Sequence, residues 1–250
     1  MREVRAHVAI RYHGTGILAR TERERLCRDL AAAMPQHRVA MYLEAKPHVL
    51  CSPHIALAEE AGRYVGLMAA SELLAAGYPS TYIETLLIAE HLQGTNAAPG
   101  LVAALFGGVV HGLGDFPEMV LMKTYTPKAY ALMRRFAVLP EVLFYPDIDG
   151  PSDPTTRALA ARLASFLSPT EEFCAETGVI RGGGGRISSD FWRYRPASGD
   201  DAVDRFFRRE VGSSDRMLCI VRAPTRAARL ALVNALGLER PRPAPTIRQE

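Results

Sequence analysis

The chain has 250 residues, 48% of them hydrophobic, with 30 Lys and Arg against 27 Asp and Glu and a formal net charge of +3. This composition is that of a soluble globular protein with enough apolar residues for one large core or two small ones. The longest apolar run, "YVGLMAASELLAAGY", is broken by Ser71 and Glu72, and "MREVRAHVAIRYHG" lacks the apolar run of a signal peptide, so no membrane association and a cytoplasmic location are expected.

The four cysteines, Cys27, Cys51, Cys174 and Cys219, stand far apart without a CxxC pair, which points to neither a zinc site nor a disulfide framework. The basic residues are concentrated in "RGGGGR", "FWRYR" and "RFFRRE" between Arg181 and Arg209. Cations beside aromatics suit nucleic acid or a phosphorylated small molecule. Asp190, Asp200, Asp201, Asp204 and Glu210 interleave them and no recognition motif accompanies them, so a solvated, loop-rich face is expected and nucleic acid is not.

In chain order, "TERERLCRDLAAAM" reads as a first helix, with Thr21 as N-cap, Glu24 completing a capping box, and Leu26, Leu30 and Met34 at helical spacing. "QHRVAMYLEAK" reads as a second, shorter helix after Pro35. Three consecutive strands follow in "HIALAEE", "GRYVGLMAASEL" and "TYIETLLIAE", antiparallel where the connections are short. "GLVAALFGGVV" is a helix, "EMVLMKTY" a strand, "PKAYALMRRFA" a helix with Pro127 in its first turn, and "EVLFYPDI" a strand. Beyond Gly150 the pattern gives a helix in "DPTTRALAARLASFL", a Gly-rich loop, a helix in "DDAVDRFFRRE" and a last strand in "RMLCIVRA".

The turn "QGTNAA" at residues 93–98 lies between an apolar strand and an apolar helix, with little side chain to bar access to its backbone. Free N–H groups and the positive end of a helix dipole at such a junction suit a pyrophosphate. Asn96 is the residue that strains this account, although Asn tolerates a left-handed backbone better than most. An ordinary strand-to-helix connection has the same outline, so both readings stand on the residues alone.

The order helix, helix, three strands, helix, strand, helix, strand, together with that turn, resembles the GCN5-related N-acetyltransferase (GNAT) superfamily. Its acyl-CoA-binding turn is written Arg/Gln-x-x-Gly-x-Gly/Ala; here Gln93 and Ala98 fit, and Asn96 stands where Gly is preferred. "YIETLLIAE" looks like the family's fourth strand and "GRYVGLMAAS" like its third. The resemblance spans residues 20–148 and implies an α/β fold with a mixed, mainly antiparallel central sheet flanked by helices. It implies acyl transfer from acetyl-CoA or another acyl-CoA to an amine or hydroxyl of a small-molecule acceptor. It implies a cofactor site at Leu87, Ile88, Gln93, Gly94, Thr95, Asn96, Ala97 and Ala98. Residues 1–150 would form the acyl-CoA-binding core, 151–215 an insertion of helices and Gly-rich loop, 216–238 a final strand and helix completing the core, and 239–250 a disordered tail.

Transfer to an amine needs a base. Strand alternation sets Glu84 and Leu86 on the face opposite to Ile83 and Thr85, and the family resemblance puts Glu84 on the strand that supplies a general base. A salt-bridged structural glutamate is the competing reading. The family's acid follows strand five as Asn-x-x-Ala and, four residues on, Tyr; in "TPKAYALM" Thr126 replaces Asn, Ala129 fits, and Met133 occupies the tyrosine slot. Tyr130 and Tyr125 are the replacement candidates, and packing is their alternative role. Loss of the acid also leaves room for a binding or regulatory protein on the same fold, or for other acyl-thioester chemistry.

His54, His91 and His111 with Asp115 and Glu118 lack any metal-ligand spacing, and no metal is expected. "GVIRGGGGRISSD" lacks the Gly-Lys-Ser/Thr of a phosphate loop and reads as a surface loop or a mobile lid. The acceptor, the acyl chain and the oligomeric state, a homodimer among the options, stay open.

Overall fold

The computed structural model of the protein describes residues 8–14, 18–184, 191 and 195–238. The expected tail, most of "FWRYR" and part of the Gly-rich loop lie outside the described residues.

Among the described residues nine strands form one mixed sheet: β1 (Val8–His13), β2 (His54–Glu60), β3 (Arg63–Ala75), β4 (Tyr78–Ile88), β5 (Met119–Thr124), β6 (Leu143–Tyr145), β7 (Phe173–Cys174), β8 (Val179–Ile180) and β9 (Arg216–Arg222). Their spatial order is β1-β2-β3-β4-β5-β9-β8-β7, with β6 also pairing β9. Every pairing is antiparallel except β4 with β5. The helices are α1 (Arg20–Ala33), α2 (Val39–Ala45), α3 (Ala97–Leu113), α4 (Pro127–Arg134), α5 (Pro154–Leu167), α6 (Asp201–Glu210) and α7 (Arg226–Ala235). This is the α/β class expected, a mainly antiparallel sheet flanked by helices.

Period-two alternation decides which helix covers which face. In β2, Ala56 and Ala58 join the core under α3, whereas Ile55 and Leu57 pack against α1 and α2. In β9, Met217, Cys219 and Val221 face the α3 side, and Leu218 and Ile220 face α5. Helix α3 lies close beneath β1 because two of its positions are glycine. A Cβ on Gly108 would sit 2.1 Å from the Tyr12 ring, and one on Gly100 would sit 2.4 Å from Ile10 Cδ1.

Strand β1 is absent from the sequence expectation; it is a six-residue edge strand, paired among the described residues with β2 alone, and although Val8 and Ile10 alternate onto the core, none of its residues is fully buried. Thr21 is not the N-cap of α1. The N-cap position is Ala19, two residues earlier, and no side chain caps the helix; Glu24 instead pairs with Arg20 at 2.8 Å. Capping is used elsewhere: Asp153, Asp200, Thr126 and Thr225 each accept backbone N–H bonds at the start of α5, α6, α4 and α7. No helix among the described residues is long and apolar enough to cross a membrane.

Candidate functional site

The site begins where the sheet comes apart. Strand β4 pairs with β5 only from Ser80–Met119 to Ile83–Met122. Beyond that point β4 stays with β3 as far as the Gly66–Ile88 pair, and β5 stays with β9 as far as Thr124–Met217. Each strand thus follows its other neighbour and a gap opens between them.

Glu84 is the first residue past the last pair. Opposite it, β3 pairs Ala70 with Ile83 and Ala69 with Thr85, so Glu84 is the extra residue of a bulge. The bulge overturns the expected alternation: Ile83, Leu86 and Ile88 pack on the α3 side, whereas Leu87 packs toward α1 and α2. Thr85 follows Leu87, its Oγ1 accepting a 3.0 Å bond from Tyr42 of α2. Glu84 is aimed at the same side. Its Oε1 accepts a 2.7 Å bond from Ser71, and its Oε2 lies 3.6 Å from Nε2 of His48.

Two cavities meet at the gap and share Leu86, Leu87, Thr126 and Ala129 as their common wall. The first, of about 410 Å³, lies on the α2 side and is lined by Tyr42, Lys46, Tyr82, Glu84, Lys123 and Arg216 among others. Burial pushes the ammonium of Lys46 down, with repulsion from Arg216 and Lys123 added, and burial does the same to Lys123. Burial likewise pushes the Arg216 guanidinium down to about 10.

The second cavity, of about 440 Å³, is mostly aliphatic and runs along Leu87 and Ile88 to the start of α3. Gln93, Gly94, Thr95 and Ala98 line it, with Lys128 and Arg135 from the α4 region opposite. The turn is held by its own bonds: Thr95 N donates to Leu92 O at 3.2 Å, and Ala97 N to Thr95 Oγ1 at 3.2 Å. The N–H groups of Gly94, Asn96 and Ala98 have no hydrogen-bond partner among the described residues. Lys128 Nζ donates to Gln93 Oε1 at 2.7 Å, which brings a cation to the mouth of the turn. The left-handed position is Gly94, with φ 81°, and not Asn96, whose φ is −77°. Asn96 and Ala97 do not line the cavity; Ala97 is 7% exposed and part of the core.

The two tyrosine candidates separate. Tyr125 lines the first cavity, its ring covered by the Arg195 guanidinium at 4.0 Å. Tyr130 is fully buried, donates its hydroxyl to Pro146 O at 2.9 Å, and packs against Phe144 and Phe207, so it reaches neither cavity. Met133 is also in the core. Thr126 uses its hydroxyl as the N-cap of α4.

The histidines considered together in the sequence are dispersed. His54 bonds Glu72 and Tyr12, His91 bonds Glu60, while Asp115 and Glu118 pair with Arg229 and Arg222. Among the described residues no group of three or more His, Cys, Asp or Glu comes together. Lys46, Lys123 and Arg216 escaped the sequence reading. The one signal was Lys123, a lone cation inside the apolar strand "EMVLMKTY".

No protein-family model matches the chain, and no curated protein matches it. Among solved structures the chain is similar, over part of its length, to GNAT-family acetyltransferases. One, from Brucella melitensis and in complex with acetyl-CoA, is 16% identical over 47% of this chain and 75% of that one, with a TM-score of 0.34. An aminoglycoside acetyltransferase from an uncultured soil metagenomic sample, in complex with sisomicin, is 18% identical over 53% of this chain and 88% of that one, with a TM-score of 0.36. The apo form of an agmatine N-acetyltransferase variant is 17% identical over 59% of this chain and 89% of that one, with a TM-score of 0.39.

Proposed function

We propose that the protein transfers an acyl group from acyl-CoA to an amine or hydroxyl of a small acceptor, with the thioester in the aliphatic cavity and the acceptor in the polar one. The observation that carries this reading is the gap between β4 and β5, which joins the two cavities at the residue where Glu84 bulges out of the ladder.

The residues fit each part of such a donor. Three unpartnered N–H groups at the head of α3, with Lys128 and Arg135 across the cavity, suit a pyrophosphate. The unpaired edge of β4 past Ile83 offers backbone donors and acceptors to an amide-bearing arm, as a sheet edge does to an added strand. Acyl-CoA, when bound, supplies an activated acyl carbon with a thiolate as leaving group. Glu84, held through Oε1 by Ser71, takes the proton from the acceptor through Oε2 as the new bond to the acyl carbon forms and the carbon–sulfur bond breaks. A proton returns to sulfur from water or from Tyr125.

A second reading, a protein that binds acyl-CoA without turnover, is favoured by one observation: the only tyrosine in the body of α4 spends its hydroxyl on Pro146 O. Thiol release from acetyl-CoA and longer acyl-CoAs across a panel of amines and alcohols decides between them. Acyl-CoA should stabilise the protein in either case, by about 4 kcal/mol at a thousandfold excess over Kd. Release that depends on Glu84 supports transfer; stabilisation with no release from any acceptor supports binding alone; no stabilisation removes both.

A further inference from the structure

The polar cavity has an unbalanced charge. Three cations enter it from separate elements, Lys46 after α2, Lys123 on β5 and Arg216 at the start of β9; among the described residues Glu84 is the one carboxylate lining it, and Glu171, outside the lining, acts on Lys123 alone of the three. None of the three has a carboxylate within 4.0 Å among the described residues. Lys123 Nζ donates to Leu167 O at 3.2 Å and Ser168 Oγ at 3.0 Å, at the C-terminus of α5. Arg216 donates to Asp215 O at 2.6 Å and its guanidinium lies 5.3 Å from the Tyr125 ring. Lys46 Nζ stands 5.3 Å from the Tyr42 ring and has no hydrogen-bond partner among the described residues.

Half-buried cations that repel one another raise the free energy of the empty site, and an anion placed among them lowers it. An acceptor that were only a cationic amine would add a fourth positive charge beside them. Glu84 offsets one charge and lies at the strand gap, where the nucleophile must arrive; the remaining positive charge needs its complement on the same acceptor. Tyr42, Tyr82 and Tyr125 give the cavity broad faces for the body of such a molecule.

We propose that the acceptor is an amine that also carries a carboxylate, an amino acid or a compound built like one, with its carboxylate among Lys46, Lys123 and Arg216 and its amine at Glu84. This rests on the acyl-transfer reading for the role of the amine, but not for the binding of the carboxylate. The cations select the substrate by charge, and Glu84 selects which end of it faces the gap.

The test uses the full chain and measures binding and thiol release separately. Binding of the standard amino acids is compared by calorimetry with that of their carboxamides, their decarboxylated amines and an aminoalkyl phosphate. At least one amino acid should bind about 10- to 100-fold more tightly than its carboxamide and amine, the range for a charged hydrogen-bonded contact. Lys46→Met should erase that preference, Lys46→Arg should keep most of it, and CoA affinity should stay unchanged in both. The Lys46 ammonium donates no hydrogen bond among the described residues, so its removal leaves the fold in place; Lys123→Met is the second variant, read only if its melting temperature is near that of the parent. Amino acids that bind in a Lys46-dependent way without any thiol release uphold the carboxylate site and overturn acyl transfer. Equal binding of carboxamides or amines, tighter binding of the aminoalkyl phosphate, no binding of any amino acid, or a loss of CoA affinity in Lys46→Met overturns the proposal.

Discussion

Ser71 donates a 2.7 Å hydrogen bond to Glu84 across the β3–β4 pair, at the one position where β4 carries an extra residue. The bulge turns the carboxylate into the polar cavity, and Ser71 engages Oε1 and leaves Oε2 facing His48 at 3.6 Å. Glu84→Gln should lower kcat by about 10²- to 10⁴-fold while the stabilisation by acyl-CoA is retained. Ser71→Ala should lower kcat by about tenfold with KM for acyl-CoA unchanged, and Ser71→Thr should recover most of the loss. Full activity of Glu84→Gln at neutral pH would leave the glutamate a purely structural part of the strand.

The tyrosines should behave oppositely. Tyr130→Phe deletes a buried hydrogen bond to Pro146 O and should cost about 1 kcal/mol of stability, seen in denaturant unfolding, with kcat unaffected. Tyr125→Phe should leave stability within about 0.5 kcal/mol and lower kcat if its hydroxyl returns the proton to sulfur. A kcat unchanged in both variants assigns that proton to water.

At the head of α3, Ala98→Leu should weaken acyl-CoA binding by at least about tenfold, because a longer side chain fills the space in front of the free N–H groups, and the unliganded melting temperature should hardly move. Gly94→Ala should destabilise the protein by about 1 kcal/mol, since φ at this position is 81°. Asn96→Gly should change either quantity by only a few tenths of a kcal/mol, Asn96 having an ordinary φ and no capping bond. Titration of each variant with CoA, followed by unfolding, reads both quantities.

Asp215 ties the segment at residues 181–184 to the start of β9, accepting bonds from Arg181 at 2.8 Å, Gly182 at 3.0 Å and Gly212 at 2.9 Å. Burial alone would push its carboxyl up; those hydrogen bonds outweigh it and hold the group below its usual value. A depressed folded pKa means stability that is present above the unfolded value, about 3.9, and lost as the pH falls through the folded one. Asp215→Asn should therefore cost about 2 kcal/mol at pH 7, and the gap to the parent should shrink below about pH 4. A gap that stays constant from pH 7 to pH 3 would show that ionisation of Asp215 contributes nothing.

The legible part of the fold was the part with strong period. "HIALAEE" and "TYIETLLIAE" announce strands, and "GLVAALFGGVV" a helix, since each is dense in apolar residues. The turn at residues 93–98 was legible because small residues are themselves the signal. Less was visible where three-dimensional pairing decides. The bulge at Glu84 is a mismatch between β3 and β4 and leaves no mark on either strand alone. Tyr130 and Tyr125 look alike in "TYTPKAYALM", and only the crossing of α4 over Phe144 and Phe207 buries the first. Lys46, Lys123 and Arg216 belong to three elements that the topology brings together across the length of the chain.

That topology also has a timing. Strand β9 is threaded late, yet it lies inside the sheet, where it pairs with β5, β6 and β8. While a ribosome has delivered only the first 215 residues, β5 presents an open apolar edge to any neighbouring chain, the short β6 lacks its partner, and β8 has only the two-residue β7 beside it. Such non-local closure is slow. The interval before Arg216 to Arg222 emerges is thus the stage at which the nascent protein is most exposed to aggregation, and the same seven residues that end it also deliver the last cation to the cavity.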